Sequence, residues 1–140
     1  MEGREKAVKE IHGDESQQIR MLHSYCLQLK KSNPGSNIIL QLENQVFKSM
    51  YVCIDSLKKG FKSCRPIICV DGTWLKGVFG GQLLTAVGID ANDFIYPISW
   101  TVVQVENRVN WTWFLKLLAE DLGIDRSCGW TFMLDRQKVM

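Results

Sequence analysis

The segment IICVDG at Ile67–Gly72 is an apolar run followed by an acid and a glycine, and it determines the fold prediction because it has the pattern of a buried strand. A second run of this kind, WTFMLD, spans Trp130–Asp135. Buried strands appear as short continuous apolar runs, so Asp71 and Asp135 each stand where a strand leaves its core. If the two strands are parallel neighbours, the carboxylates share one edge of the sheet and can bind a divalent cation. The alternative interpretation is that each aspartate forms a turn or caps a helix.

Size and composition fit one modest domain. The chain has 140 residues, of which 46% are hydrophobic and 10% aromatic, which is enough for a packed core. We expect no membrane association, because no apolar run approaches about 20 residues and residues 1–6 lack the apolar stretch of a secretory signal. A net charge of +2 permits a nucleic-acid partner without requiring one.

The cysteine pattern argues against a zinc or redox motif. The five cysteines form no C-x-x-C pair, and no histidine stands at ligand spacing from a cysteine pair. An odd count without a signal peptide fits a reducing compartment, the cytosol or the nucleus.

Residues 1–63 are predicted to form an N-terminal segment of helices and short strands. Apolar residues at three- and four-residue steps predict an amphipathic helix over Asp14–Lys31. Two short strands are predicted at Ile38–Leu42 and Val46–Tyr51, followed by a short helix over Val52–Phe61.

Residues 64–140 are predicted to form the core, in the order β-β-β-α-β. The predicted elements are strands at Ile67–Trp74, Gln82–Asp90 and Ile95–Val105, a helix at Asn107–Leu122 and a strand at Trp130–Leu134. Asn107 or Asn110 can cap the helix, and Gly123 ends it. The first three strands are joined by connections short enough for antiparallel hairpins, and a right-handed helical crossover then places the fourth strand parallel to the first. This topology brings Asp71 and Asp135 together.

This order of elements resembles a truncated ribonuclease H-like fold, an α/β fold with a mixed sheet. A narrower resemblance rests on seven short motifs: CRPII (64–68), DGTWLKG (71–77), GGQLL (80–84), PISW (97–100), VEN (105–107), WTWFL (111–115) and DRQK (135–138). They look like the core of plant Mutator-like element transposases. The resemblance runs without large gaps from about Tyr51 to Lys138.

The resemblance implies a catalytic metal site. In that family an Asp-Asp-Glu triad binds Mg²⁺ or Mn²⁺ and cleaves and joins DNA at transposon ends. Asp71 and Asp135 match the first two acids, as metal ligands and catalytic residues. The third is a glutamate on a later helix, and residues 136–140 contain no acid onto which it could be carried.

Other acids of the chain are not expected to replace the third one. Glu106, Glu120 and Asp121 precede the last strand, and the helix pattern predicts that Glu120 and Asp121 are exposed. Leu134 also differs from the small polar residue usual in the family before the second aspartate. We therefore expect this chain to be inactive as a transposase by itself.

Cations and aromatic residues near the predicted site suggest DNA contacts. Lys76, Arg136 and Lys138 could bind DNA phosphates, although surface solvation explains them equally simply. Trp74 and Trp100 could stack on bases, but core packing is the expected role of aromatic residues on strands.

The alternative function is a domesticated, non-catalytic DNA-binding or transcription-regulatory protein derived from a transposase. Both interpretations imply DNA as the partner and the nucleus as the location. We also expect the chain to form a homo-oligomer, because the predicted last strand has an unpaired edge and the sheet has an uncovered apolar face.

Overall fold

The computed structural model of the chain describes residues 15–76, 80–124 and 131–134. Within these ranges the chain forms a mixed α+β fold with three α-helices, one short 3-10 helix and six strands. The helices are α1 (Glu15–Ser32), α2 (Asp55–Gly60) and α3 (Arg108–Leu122), and the 3-10 helix is Phe61–Ser63. The strands are β1 (Asn37–Glu43), β2 (Val46–Cys53), β3 (Ile67–Trp74), β4 (Gln82–Ile89), β5 (Ile95–Val103) and β6 (Thr131–Leu134).

All six strands belong to one mixed sheet, in the order β1-β2-β5-β4-β3-β6. Every neighbouring pair is antiparallel except β3 and β6, which are parallel. The predicted antiparallel arrangement of β3, β4 and β5 and the parallel return of β6 beside β3 are therefore confirmed. The register of the parallel pair places Val70 opposite Leu134.

Local signals define both ends of α3. The Asn107 side chain accepts a hydrogen bond from the Asn110 backbone N–H at 2.8 Å, which satisfies one of the free donors of the first turn. At the other end Gly123 adopts a left-handed conformation, with φ of 69°, which glycine tolerates without strain. Both sequence predictions are confirmed, with Asn107 rather than Asn110 as the cap.

Helices cover both faces of the sheet, but not over its whole width. On one face α3 contributes Trp111, Phe114 and Leu118 to a core that contains Tyr51 of β2 and Ile68 of β3. Side chains alternate along a strand, so Met50 and Val52 leave the opposite face of β2. There they pack with Cys26 of α1 and Ile38 of β1. No described helix is both long and apolar enough to cross a membrane.

Strand β2 is longer than predicted, and it joins the β1–β2 hairpin to the rest of the sheet. Val52 and Cys53, assigned to a helix from the sequence, are fully buried and pair with Ile38 and Asn37 of β1. The helix α2 begins only at Asp55. Because β2 also pairs with β5, the β1–β2 hairpin extends the sheet formed by β3 to β6, a long-range pairing that local sequence patterns do not reveal.

The outer edge of β6 has no partner strand among the described residues. All four of its residues are exposed, and the exposed fractions of Phe132, Met133 and Leu134 are 41%, 54% and 48%. Trp130, predicted to begin this strand, lies outside the described residues.

Candidate functional site

Asp71 lies within β3, on the face opposite to α3. Its neighbours Val70 and Gly72 are buried, whereas Asp71 itself is exposed and pairs across the sheet with Thr85 of β4. The Gly72 backbone N–H donates a hydrogen bond to Asp71 Oδ1 at 2.9 Å. Asp71 is therefore neither a turn former nor a helix cap, because three further residues of β3 follow it in the sheet.

The parallel pairing of β3 and β6 supplies the framework that the two-aspartate hypothesis requires. Asp71 follows Val70, and Asp135 follows Leu134, the residue paired with Val70. Asp135 lies outside the described residues, as do Arg136 and Lys138. The meeting of the two carboxylates therefore stays a prediction.

Glu106 is placed beside the strand that carries Asp71. A Cβ atom built on Gly72 would lie 2.9 Å from Glu106 Oε2, so glycine makes room for this carboxylate. The Trp111 indole N–H donates a hydrogen bond to Glu106 Oε1 at 2.9 Å and fixes the side chain. Gly72 and Asp71 present opposite faces of β3, so Glu106 and Asp71 do not share a face. The VEN motif was the sequence signal for Glu106, although nothing in it indicated contact with Gly72.

The acids at the end of α3 differ in their surroundings. Glu120 is exposed, as expected. The expectation for Asp121 was wrong: it is half-buried and accepts hydrogen bonds from the Tyr51 hydroxyl at 2.6 Å and from Asn37 Nδ2 at 3.1 Å. Burial, and next the hydrogen bond to Asp121, raise the pKa of Tyr51 well above its ordinary value.

Of the three predicted DNA-binding cations, the described part of the chain includes Lys76, and its side chain is exposed. The two tryptophans proposed for base stacking differ in their exposure to solvent. Trp100 is half-buried and packs with the Cys26 and Met50 cluster, which confirms core packing. Trp74 is 72% exposed, so the expectation that it packs in the core was wrong. Trp74 is the last residue of β3, at the end of the sheet.

Among the described residues no group of three His, Cys, Asp or Glu side chains is close enough together to hold a metal ion. Asp71 suits Mg²⁺ or Mn²⁺ in chemistry, because its carboxylate is a hard oxygen ligand and its exposure leaves room for the waters these ions retain. An apolar pocket of about 350 Å³ lies elsewhere, between α1 and the β2 and β5 strands, and neither Asp71 nor Lys76 lines it.

Comparison with known families identifies the class of protein to which the chain belongs. The model of the MULE transposase domain matches residues 67–140, more than half of the chain and all of β3 to β6. The chain is therefore transposase-derived, and it belongs to the MULE transposase domain family. No curated protein and no solved structure gives a significant match.

Proposed function

We propose that β3 to β6 form part of a ribonuclease H-like transposase core, in which Asp71 and Asp135 are ligands of a catalytic Mg²⁺ or Mn²⁺. The observation that carries this proposal is the parallel pairing of β3 with β6 at Val70 and Leu134, each of which immediately precedes one of these aspartates. Consecutive Cα atoms are about 3.8 Å apart, so each acid is one backbone step from a paired position.

The chain would contribute carboxylates and cations to phosphodiester chemistry. Asp71 supplies a solvent-accessible oxygen ligand, held by the Gly72 N–H, and Asp135 supplies the second. Lys76, Arg136 and Lys138 would bind backbone phosphates and add salt-dependent affinity without sequence specificity. The metal, when bound, activates a water or 3′-hydroxyl and stabilises the leaving oxygen. DNA would be the partner and the nucleus the compartment.

We further propose that the 140-residue chain alone does not cleave DNA. Two carboxylates hold a divalent cation weakly, and a third oxygen ligand is needed to fix a two-metal arrangement. Glu106 does not supply this third ligand, because its carboxylate accepts a hydrogen bond from the Trp111 indole on the other face of β3.

Metal binding provides the direct test. Mn²⁺ is titrated into the protein, and free Mn²⁺ is measured by electron paramagnetic resonance. Asp71→Asn and Asp135→Asn should each weaken binding severalfold, whereas Glu120→Gln, a change at an exposed acid on α3, should not. Wild-type affinity in both aspartate variants would refute the site.

Nicking assays test the proposed inactivity. With Mg²⁺ or Mn²⁺ and DNA carrying terminal inverted repeats, the chain should produce no nicks. Metal-dependent nicking that Asp71→Asn abolishes would refute inactivity and would mean that another residue, for instance from a second subunit, completes the site.

A second candidate is a non-catalytic DNA-binding or regulatory role. This role needs no metal site, so it does not depend on Asp135, which lies outside the described residues. One measurement distinguishes the two candidates. For a purely DNA-binding protein, Asp71→Asn should leave DNA affinity unchanged or increase it, with and without metal, because the substitution removes a negative charge. If metal increases DNA affinity and Asp71→Asn abolishes that increase, the regulatory role is refuted.

A further inference from the structure

Trp74 exposes more of its surface than its residue type normally does. Its exposed fraction is 72%, whereas Trp111 is 4% exposed and Trp100 and Trp113 are half-buried. Tryptophan has a large apolar surface and is highly buried on average. The last position of β3 therefore presents a flat aromatic ring to solvent.

Trp74 lies on the same strand as Asp71 but on the opposite face of the sheet, because side chains alternate along a strand and Trp74 shares the face of Gly72. It follows Asp71 by three residues on the same strand, a distance of about 10 Å along an extended backbone. Gln82 of β4 pairs with Trp74 on one side. On the other side, the residues that follow Leu134 lie outside the described part of the chain.

The nearby charge fits a nucleic-acid strand better than an apolar partner. Lys76, two residues beyond Trp74, is exposed and makes no salt bridge with any described residue. A solvent-facing aromatic ring beside a cation is the combination with which proteins bind unpaired nucleotides: the ring stacks on a base and the cation binds a phosphate.

We propose that Trp74 is a stacking platform for an unpaired base of bound DNA at the end of β3, where Lys76 binds a neighbouring phosphate. This inference rests on the proposed function and adds a binding role for an unpaired base. Stacking is tolerant of sequence because every base has an aromatic face, so Trp74 contributes affinity rather than sequence recognition.

The test measures DNA affinity without metal. Fluorescein-labelled oligo-dT of about 12 nucleotides is titrated in EDTA, and binding is followed by anisotropy. Trp74→Ala should weaken binding by about 5- to 150-fold, which corresponds to about 1–3 kcal/mol for one stacked base. Trp74→Phe keeps an aromatic ring and should retain most of the affinity.

Phe94 provides a matched control. It is 67% exposed and lies in the β4–β5 connection, at the end of the sheet opposite to Trp74. Phe94→Ala removes an exposed aromatic ring of similar accessibility and should leave oligo-dT affinity unchanged. Thermal unfolding of all three variants checks that each is folded, as expected for exposed positions.

Several outcomes would overturn the inference. They are no measurable binding of oligo-dT by the wild type, equal losses for Trp74→Ala and Phe94→Ala, or an unchanged affinity in Trp74→Ala. A change in oligomeric state on Trp74→Ala, seen by sedimentation without a change in DNA affinity, would assign the indole to an interface between chains instead. The assay contains no metal, so its failure is distinguishable from failure of Mn²⁺ binding at Asp71.

Discussion

The hydrogen bond between Tyr51 and Asp121 should be a main contributor to the stability of this fold. The Tyr51 hydroxyl donates to Asp121 Oδ2 at 2.6 Å, and the tyrosine is fully buried. Tyr51→Phe removes this donor and keeps the ring, which makes edge contacts with Trp113 and Phe114 at centroid distances of 6.2 and 6.0 Å. The substitution therefore isolates the hydroxyl.

The expected loss of stability depends on the hydrogen-bond partners of Tyr51 and Asp121. A hydrogen bond to a charged group contributes about 1.5–3 kcal/mol. Asp121 is half-buried and keeps a second donor, Asn37, so Tyr51→Phe should lie near the lower end, at about 1.5–2 kcal/mol. Asp121→Ala should cost more, about 2–3 kcal/mol, because the Tyr51 hydroxyl is then buried without its acceptor. Against a typical total of about 5–15 kcal/mol, either change is large.

Urea unfolding measures these free energies, and a double-mutant cycle measures the pair. Tyr51→Phe, Asp121→Ala and the double variant should give a coupling energy of about 1–2 kcal/mol, with an unchanged dependence on urea concentration. Glu120→Gln, one residue from Asp121 but exposed, should stay within about 0.5 kcal/mol of the wild type. Additive single effects, or a Tyr51→Phe variant as stable as the wild type, would show that the bond does not stabilise the fold.

Three further predictions concern titration, close packing and the sheet edge. The pKa of Tyr51 is raised in the folded state, so the stability that its protonated hydroxyl contributes is fully present below its ordinary pKa of 10.0 and is lost as pH rises above it. Tyr51→Phe should remove that part of the alkaline loss of stability, as measured by urea unfolding. Gly72→Ala should destabilise the protein by about 1–2 kcal/mol, because the added methyl group displaces the Glu106 carboxylate from the Trp111 indole. The same substitution should cost less in a Glu106→Ala background, and an equal cost in both backgrounds would contradict the geometry. The chain should self-associate through the outer edge of β6, and Met133→Lys should shift sedimentation toward the monomer; identical sedimentation of both proteins at all concentrations would exclude that edge.

Local chemistry explains what the sequence predicted correctly. The cap at Asn107, the stop at Gly123 and the apolar spacing between them act within a few residues, and the predicted and observed limits of α3 differ by one residue. The parallel placement of β6 beside β3 followed from the handedness of a crossover connection, which depends little on side chains.

The errors arose where distant segments decide exposure. The helix pattern made Asp121 look solvent-exposed, because Tyr51, its hydrogen-bond donor, lies 70 residues earlier in the chain. The strand pattern placed Trp74 in the core, although Trp74 is the last residue of β3 and is 72% exposed. Neither fact can be obtained from residue periodicity, since each depends on how distant segments of the chain pack.

The position of α3 connects the stability of the sheet to the candidate site. Tyr51, Thr101, Leu84 and Gly72 form one row across β2, β5, β4 and β3. Three strand spacings of about 4.8 Å make this row about 14 Å long, and Trp111 and Asp121, ten positions apart on α3, are separated by about 15 Å along the helix axis. The helix is therefore attached at both ends of the row, through Asp121 to Tyr51 and through Trp111 and Glu106 to Gly72, next to Asp71. Sites more than about 7–10 Å apart usually contribute additively to stability. Changes at the Tyr51 end should therefore lower stability without altering Mn²⁺ binding at Asp71, whereas Gly72→Ala should alter both.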